Sequence, residues 1–173
     1  MAAPPPALTA PDARQPSGMA FPANGRDADA VAQAEVLERR ARAALEAGNT
    51  NRAVSLYEEA LTRWPDLTSA RAALGRIHLG RKDCFRARIT FEKAVQSRPD
   101  LPELVNALGA AYLCENNAAR AAEEFGNALQ IDPDFAPAIF NLALCRLARG
   151  ERSAAREALD RFLALQPDHP RGL

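Results

Sequence analysis

The sequence contains few β-branched and few aromatic residues. Valine, isoleucine and threonine together account for 14 of the 173 residues, and phenylalanine, tyrosine and tryptophan for 6%. Alanine, in contrast, occurs 38 times. Because β-branched residues favour strands and alanine has the highest helix propensity, this composition favours helices and argues against a sheet-dominated fold. The core must then be built mainly from leucine and alanine.

The chain also lacks a net charge and any long apolar run. It has 22 Lys+Arg and 22 Asp+Glu. This balance argues against binding to nucleic acid or to a membrane surface through bulk electrostatics. No stretch approaches the roughly 20 apolar residues that a membrane helix needs, and the N-terminus has no basic start or apolar core of a signal peptide. We therefore expect a soluble, cytoplasmic protein with neither nucleic acid nor membrane as a partner.

Residues that could hold a metal or carry out catalysis are scarce. The cysteines are Cys84, Cys114 and Cys145, and the histidines are His78 and His169. No spacing among them suits a zinc site, and an odd, scattered set of cysteines predicts reduced thiols, most simply small buried side chains. The sequence has no glycine-rich phosphate loop and no nucleophile motif. We therefore predict no metal, no cofactor and no enzymatic activity.

What the chain does have is a proline-rich start followed by a repeat. Six of the 13 prolines lie in residues 1–26, which show no helical or strand periodicity and are predicted to be a disordered arm. From residue 27 onwards, Pro-Asp pairs recur every 34 residues, beginning at Pro65, Pro99, Pro133 and Pro167. This spacing divides the array, residues 27–169, into the units 34–67, 68–101, 102–135 and 136–169, with a short tail at 170–173.

Two other positions of the 34-residue repeat hold similar residues in all four units. An alanine stands twelve residues before each repeated proline, and a large side chain stands eight before it. The alanines are Ala53, Ala87, Ala121 and Ala155, and the large side chains are Tyr57, Phe91, Phe125 and Leu159. Because proline cannot donate a helical hydrogen bond, each proline ends a helix. Small residues let two helices approach closely, and the large side chain fills the space between them. Each unit is therefore predicted to be a helix-turn-helix.

The third unit carries the clearest pattern, with Leu108-Gly109, Tyr112, Ala121, Phe125, Ala128 and Pro133 at set spacings. This pattern resembles the tetratricopeptide repeat, a helix-turn-helix unit of about 34 residues. The resemblance implies an all-α, right-handed superhelical solenoid of four repeats, whose first helices line a concave groove. It also implies a non-catalytic scaffold that binds an extended peptide or a partner helix. The alternative is a dedicated small chaperone of a bacterial protein-secretion system.

Helix geometry selects the groove candidates, which lie on the rotated face of each first helix. They are Glu38, Arg42, Arg76, Asn106, Ala110, Phe140 and Leu144. The set runs from polar and basic to apolar, so we expect a partner with an acidic end and aliphatic or aromatic anchors. The column Leu45, Leu79, Leu113 and Leu147 recurs in all four units and is interpreted as packing between repeats.

Only residues 170–173 follow the last unit, so we expect no capping helix after it. Its second helix carries Leu159, Phe162 and Leu163. Terminal repeats need a polar outer surface, and an exposed apolar patch usually marks an interface. We therefore predict that these three residues form an interface, most simply that of a homodimer. The alternative is that the unit folds them inward.

Overall fold

The computed structural model describes residues 25–166, and every regular element in that range is an α-helix. The helices are α1 (Gly25–Glu46), α2 (Thr50–Arg63), α3 (Thr68–Gly80), α4 (Cys84–Ser97), α5 (Pro102–Cys114), α6 (Ala118–Ile131), α7 (Ala136–Ala148) and α8 (Arg152–Leu165). The predicted all-α repeat fold is confirmed. Of the predicted arm, residues 1–24 lie outside the described residues, and Gly25 and Arg26 begin α1. The tail at 170–173 and His169 also lie outside them.

Each helix boundary has a local cause. Helices α2, α4 and α6 end two residues before Pro65, Pro99 and Pro133, where a further turn would require the missing proline N–H. Within the repeats, the side chains of Asn49, Asp83 and Asn117 each accept a hydrogen bond of 3.2 Å from the backbone N–H three residues later. Such N-caps satisfy amide groups that the first turn of a helix leaves unpaired.

The turn inside each repeat needs one residue in the left-handed region. Repeats one and four use glycine, Gly48 with φ +75° and Gly150 with φ +78°. Repeats two and three use side-chain-bearing residues, Lys82 with φ 61° and Asn116 with φ 59°. Glycine adopts this conformation without the Cβ clash that other residues meet, so the turns of repeats two and three are the less favourable pair.

The centre of each middle repeat is a glycine facing a phenylalanine. A Cβ atom on Gly75 would lie 2.6 Å from Cζ of Phe91, and one on Gly109 would lie 2.6 Å from Cε1 of Phe125. Both phenylalanines are completely buried. The two helices of each middle repeat therefore approach closely at the glycine, and the phenylalanine ring packs directly against it.

Consecutive helices pack along the whole chain, and the first helices also contact one another, α3 with α5 and α5 with α7. The first helices α3, α5 and α7 therefore form one layer, and α1 is joined to it through α2. This layer and α1 carry the groove candidates.

The cysteines differ from the sequence prediction. Cys84 and Cys114 form a disulfide with a Cα–Cα distance of 5.3 Å, so the expectation of three reduced thiols was wrong for this pair. The first residue of α4 meets the last residue of α5 only in the stacked array, which a separation of 30 residues in the sequence does not reveal. Cys145 is free and buried, as predicted for a small core side chain.

Candidate functional site

The candidate groove begins with a polar cluster at repeats one and two. Arg42 on α1 donates a hydrogen bond of 3.1 Å to the carboxylate of Glu38, one turn earlier on the same face. Burial raises the pKa of the Tyr57 hydroxyl, which also lies within the fields of Arg42, Glu38 and Arg76. The structure thus brings three predicted groove residues around one point. Tyr57 itself was predicted only as a core residue, because its ring occupies the column filled by Phe91 and Phe125.

The two arginines of this cluster differ in whether they have an ion-pair partner. The Arg42 guanidinium is neutralised by Glu38. Arg76 is exposed on α3 and has no carboxylate within ion-pair distance among the residues that the structure describes. A guanidinium that lacks an internal partner can bind a carboxylate with two parallel hydrogen bonds. Arg76 is therefore the cation that this end of the groove can offer to a ligand.

A cavity lies beside Ala72, which precedes Arg76 by four residues on α3. The same register position holds Glu38 in repeat one, Asn106 in repeat three and Phe140 in repeat four. In repeat two, where this position is alanine, a cavity of about 600 Å³ lies between the loops that follow α2 and α4. Its apolar lining comes from Trp64, Leu67, Ala72, Leu101 and Leu104. This cavity was not predicted from the sequence, where its one sign is an alanine at a position that holds larger residues in the other three repeats.

Asn106 and Ala110 occupy the middle of the groove on α5. The Asn106 side-chain oxygen accepts a hydrogen bond of 3.0 Å from the side-chain amide of Asn141 on α7. The Nδ2 group of Asn106 has no hydrogen-bond partner among the described residues and is not buried. It is therefore available to a peptide carbonyl. Ala110 is half-buried and offers only a small apolar surface.

The groove ends in an apolar surface on α7. Phe140, Leu144 and Leu147 are 36%, 42% and 45% exposed. Leu147 belongs to the leucine column interpreted as packing between repeats, and its equivalents Leu79 and Leu113 are indeed half-buried. In repeat four no further first helix follows within the described residues to cover this position. Contiguous exposed apolar groups of this kind mark interaction surfaces.

The three residues predicted to form a dimer interface lie largely inside the last repeat. Phe162 is 7% exposed and packs with Ile139 and Ala143 of α7, while Leu159 and Leu163 are half-buried against the same cluster. The exposed apolar side chains of this repeat are Leu165, at 39%, and the α7 groove residues. Helix α7 covers the apolar face of α8. The sequence of α8 alone does not reveal this packing.

Two further features of the described residues concern metal binding and membrane insertion. Between residues 25 and 166, no three His, Cys, Asp or Glu side chains converge as metal ligands. None of the helices described is long and apolar enough to cross a membrane.

Comparison with known proteins adds a family and a set of similar folds. Two models of the tetratricopeptide repeat match the sequence, one at residues 38–102 and the other at residues 112–173. No curated protein matches it. A solved structure of MamA, residue 41 to the end, from Desulfovibrio magneticus RS-1 is similar with a TM-score of 0.72 and 21% identity, over 79% of this chain and 77% of that one. TTC0263, a thermophilic TPR protein of Thermus thermophilus, is similar with a TM-score of 0.66 and 22% identity, over 78% and 75% of the two chains.

Proposed function

The chain belongs to the tetratricopeptide repeat family, and from this premise we propose that it is a non-catalytic scaffold that binds an extended peptide in the groove lined by α1, α3, α5 and α7. The observation that carries the proposal is the change of chemistry along this layer. Repeat two presents the guanidinium of Arg76, which has no carboxylate partner among residues 25–166, and repeat four presents the exposed side chains of Phe140 and Leu144. A contiguous exposed apolar surface such as that of α7 usually marks an interaction site.

The chemistry of the groove specifies the partner. An acidic residue of the peptide pairs with Arg76, and apolar side chains cover Phe140 and Leu144. Between them, the Asn106 amide donates to the peptide backbone, and the cavity beside Ala72 receives a bulky apolar side chain. The ligand is thus an extended segment with an acidic residue at one end and leucine-like or aromatic anchors towards the other.

A peptide array tests this proposal. Immobilised peptides that vary the acidic and apolar positions independently are probed with the full chain, and the best binder is titrated by fluorescence anisotropy. We expect Arg76→Glu to weaken binding about fivefold at low salt and less at high salt, because exposed ion pairs contribute up to about 1 kcal/mol and are screened. Arg39, an exposed arginine of α1 outside the groove set, provides the matched control. Equal effects of Arg76→Glu and Arg39→Glu would argue against the groove.

The exposed apolar end favours a second candidate, a small chaperone for hydrophobic segments of secreted proteins. A chaperone of this kind binds many apolar peptides with little regard to their charge, whereas the scaffold requires the acidic residue. The same array therefore separates the two functions. Binding that follows apolar content alone, and that Arg76→Glu leaves unchanged while Leu144→Ala weakens it, identifies the chaperone.

A further inference from the structure

We propose that Cys84 and Cys114 form a reversible redox site that fixes the second repeat to the third. Cys84 is the first residue of α4, and Cys114 is the last residue of α5. Both side chains are half-buried. The bond is therefore within reach of small thiols and disulfides from solvent, unlike the buried Cys145.

The repeat geometry itself creates the site. In the stacked array, the start of the second helix of repeat two lies beside the end of the first helix of repeat three. The Cα atoms of Cys84 and Cys114, at these two positions, are 5.3 Å apart, a distance that suits a disulfide. The corresponding pairs at the other two boundaries are Thr50 with Gly80 and Ala118 with Ala148. From the shared register we expect these pairs to lie equally close, and cysteines fill the position only between repeats two and three.

The bond connects the two turns that are least favourable on their own. Lys82 and Asn116, with φ of 61° and 59°, lie two residues from Cys84 and Cys114 respectively. They are the only non-glycine residues with positive φ among residues 25–166. A residue with a Cβ atom in this conformation persists where its surroundings hold it. These two turns are therefore the segments that open first when the bond is cut.

Noncovalent contacts at the same boundary keep the reduced repeats together. Arg88 on α4 forms ion pairs with Glu115, at 2.9 Å, and with Glu92, at 2.7 Å. The Tyr112 hydroxyl donates a hydrogen bond of 3.2 Å to the Glu92 carboxylate. Reduction of the disulfide breaks none of these contacts directly, and those of Glu92 lie outside the two turns. The expected response is thus a local loosening of the boundary and not a loss of the fold.

The chemistry is thiol–disulfide exchange with a small dithiol or a small disulfide. In reduction, a thiolate of the dithiol attacks one sulfur of the Cys84–Cys114 bond, and the other sulfur leaves as a thiolate and takes up a proton. The second thiol of the reductant then attacks the mixed disulfide, releases the remaining protein sulfur and closes its own disulfide. Two electrons pass from the dithiol to the protein. Oxidation is the reverse, with a small disulfide as the electron acceptor.

The bond also fixes the helices that carry the middle of the groove. It holds α4 against α5, and α4 packs on α3, so the position of Arg76 relative to Asn106 depends on it. This consequence for binding rests on the proposed peptide-binding function. Formation of the bond and its effect on the two turns do not.

The experiment equilibrates the full chain, without peptide, in buffers of varied ratio of reduced to oxidised dithiothreitol. Alkylation and mass spectrometry count the free thiols, and amide hydrogen exchange follows the four turns. We expect one free thiol, that of Cys145, on the oxidising side and three on the reducing side. On reduction, exchange at the turns of Lys82 and Asn116 should accelerate about tenfold, with no change at Gly48 and Gly150.

Three variants make the result decisive. Cys84→Ser with Cys114→Ser should exchange like the reduced chain in every buffer, and Cys145→Ser should keep the full redox response. Adding Ala118→Cys and Ala148→Cys to the double serine variant should move the response to the turns of Asn116 and Gly150, because the register is the same.

Several results would overturn the proposal. They are three free thiols in every buffer, a bond whose reduction leaves the exchange of both turns unchanged, or loss of the response in Cys145→Ser. Failure of the transplanted pair to form a bond would overturn the register argument. A chain that responds to redox state but binds no array peptide would instead contradict the proposed function, so the two failures are distinguishable.

Discussion

The ring of Phe140 rests against the ring of Phe162, with 5.2 Å between the centroids and 45° between the planes. Phe140 is a groove candidate on α7, and Phe162 is a buried residue of α8. The predicted binding surface and the core of the last repeat therefore share this contact. A substitution at Phe140 acts on both, whereas Leu144, one turn further along α7, offers a cleaner test of binding.

We predict that Phe140→Ala lowers the free energy of unfolding by about 2 kcal/mol, since it removes an aromatic contact and partly buried surface. Leu144→Ala, at an exposed site, should cost less than about 1 kcal/mol while still weakening binding of the array peptide. Urea unfolding and anisotropy titration of both variants provide the comparison. If Leu144→Ala loses stability and affinity in parallel, the residue belongs to the core and the groove assignment is wrong.

Substituting the central glycines should destabilise the protein. In Gly75→Ala, the new methyl group would lie 2.6 Å from the Phe91 ring, which has no free space to move into. Overpacking of this kind costs about 1–3 kcal/mol. Gly126, in the interior of α6, has no atom within 4 Å of the position that a Cβ would take, and it is the matched control. Gly126→Ala should instead stabilise the protein by about 0.5–1 kcal/mol, and thermal melts of the two variants should shift in opposite directions.

His78 should make stability depend on pH. Desolvation by burial lowers the pKa of its imidazole from 6.5, and Arg86 and Arg81 lower it further while Asp83 opposes them. The folded state therefore binds a proton less readily than the unfolded chain, so stability falls as pH drops below about 6.5 towards the lowered folded value. His78→Gln should flatten this part of the profile, and His169→Gln should leave it intact. Urea midpoints measured across this range give the answer; an unchanged slope in His78→Gln would assign it to other groups.

The predicted homodimer is tested at exposed side chains of the last repeat. Because Phe162 is buried, Phe162→Glu would unfold the last repeat and reveal little about association. Leu147→Glu and Leu165→Glu alter exposed side chains of the same repeat and should convert a dimer to a monomer without loss of helix. Sedimentation at micromolar concentration, with Phe85→Glu on the exposed start of α4 as control, measures the change. A parent chain that already sediments as a monomer would remove the dimer from consideration.

The fold was predictable because its signals are local and periodic. Prolines that end helices, and glycines opposite phenylalanines such as Gly75 and Phe91, repeat at one spacing, and each has a steric meaning of its own. Features that depend on how separate helices meet could not be predicted in this way. The Cys84–Cys114 bond, the cavity beside Ala72 and the burial of Phe162 all arise between elements, where no single helix carries the information.

The shared 34-residue spacing of the repeats also has a consequence for the evolution of such a chain. Loss of residues 102–135 as a block would join Leu101 to Ala136 and keep every following residue in phase. The helix of Arg76 would then adjoin the helix of Phe140, and Cys84 would face Ala148 in place of Cys114. Recombination at a Pro-Asp boundary can therefore alter ligand choice or remove sensitivity to oxidants in one step, while the hydrophobic stack between the remaining units stays continuous.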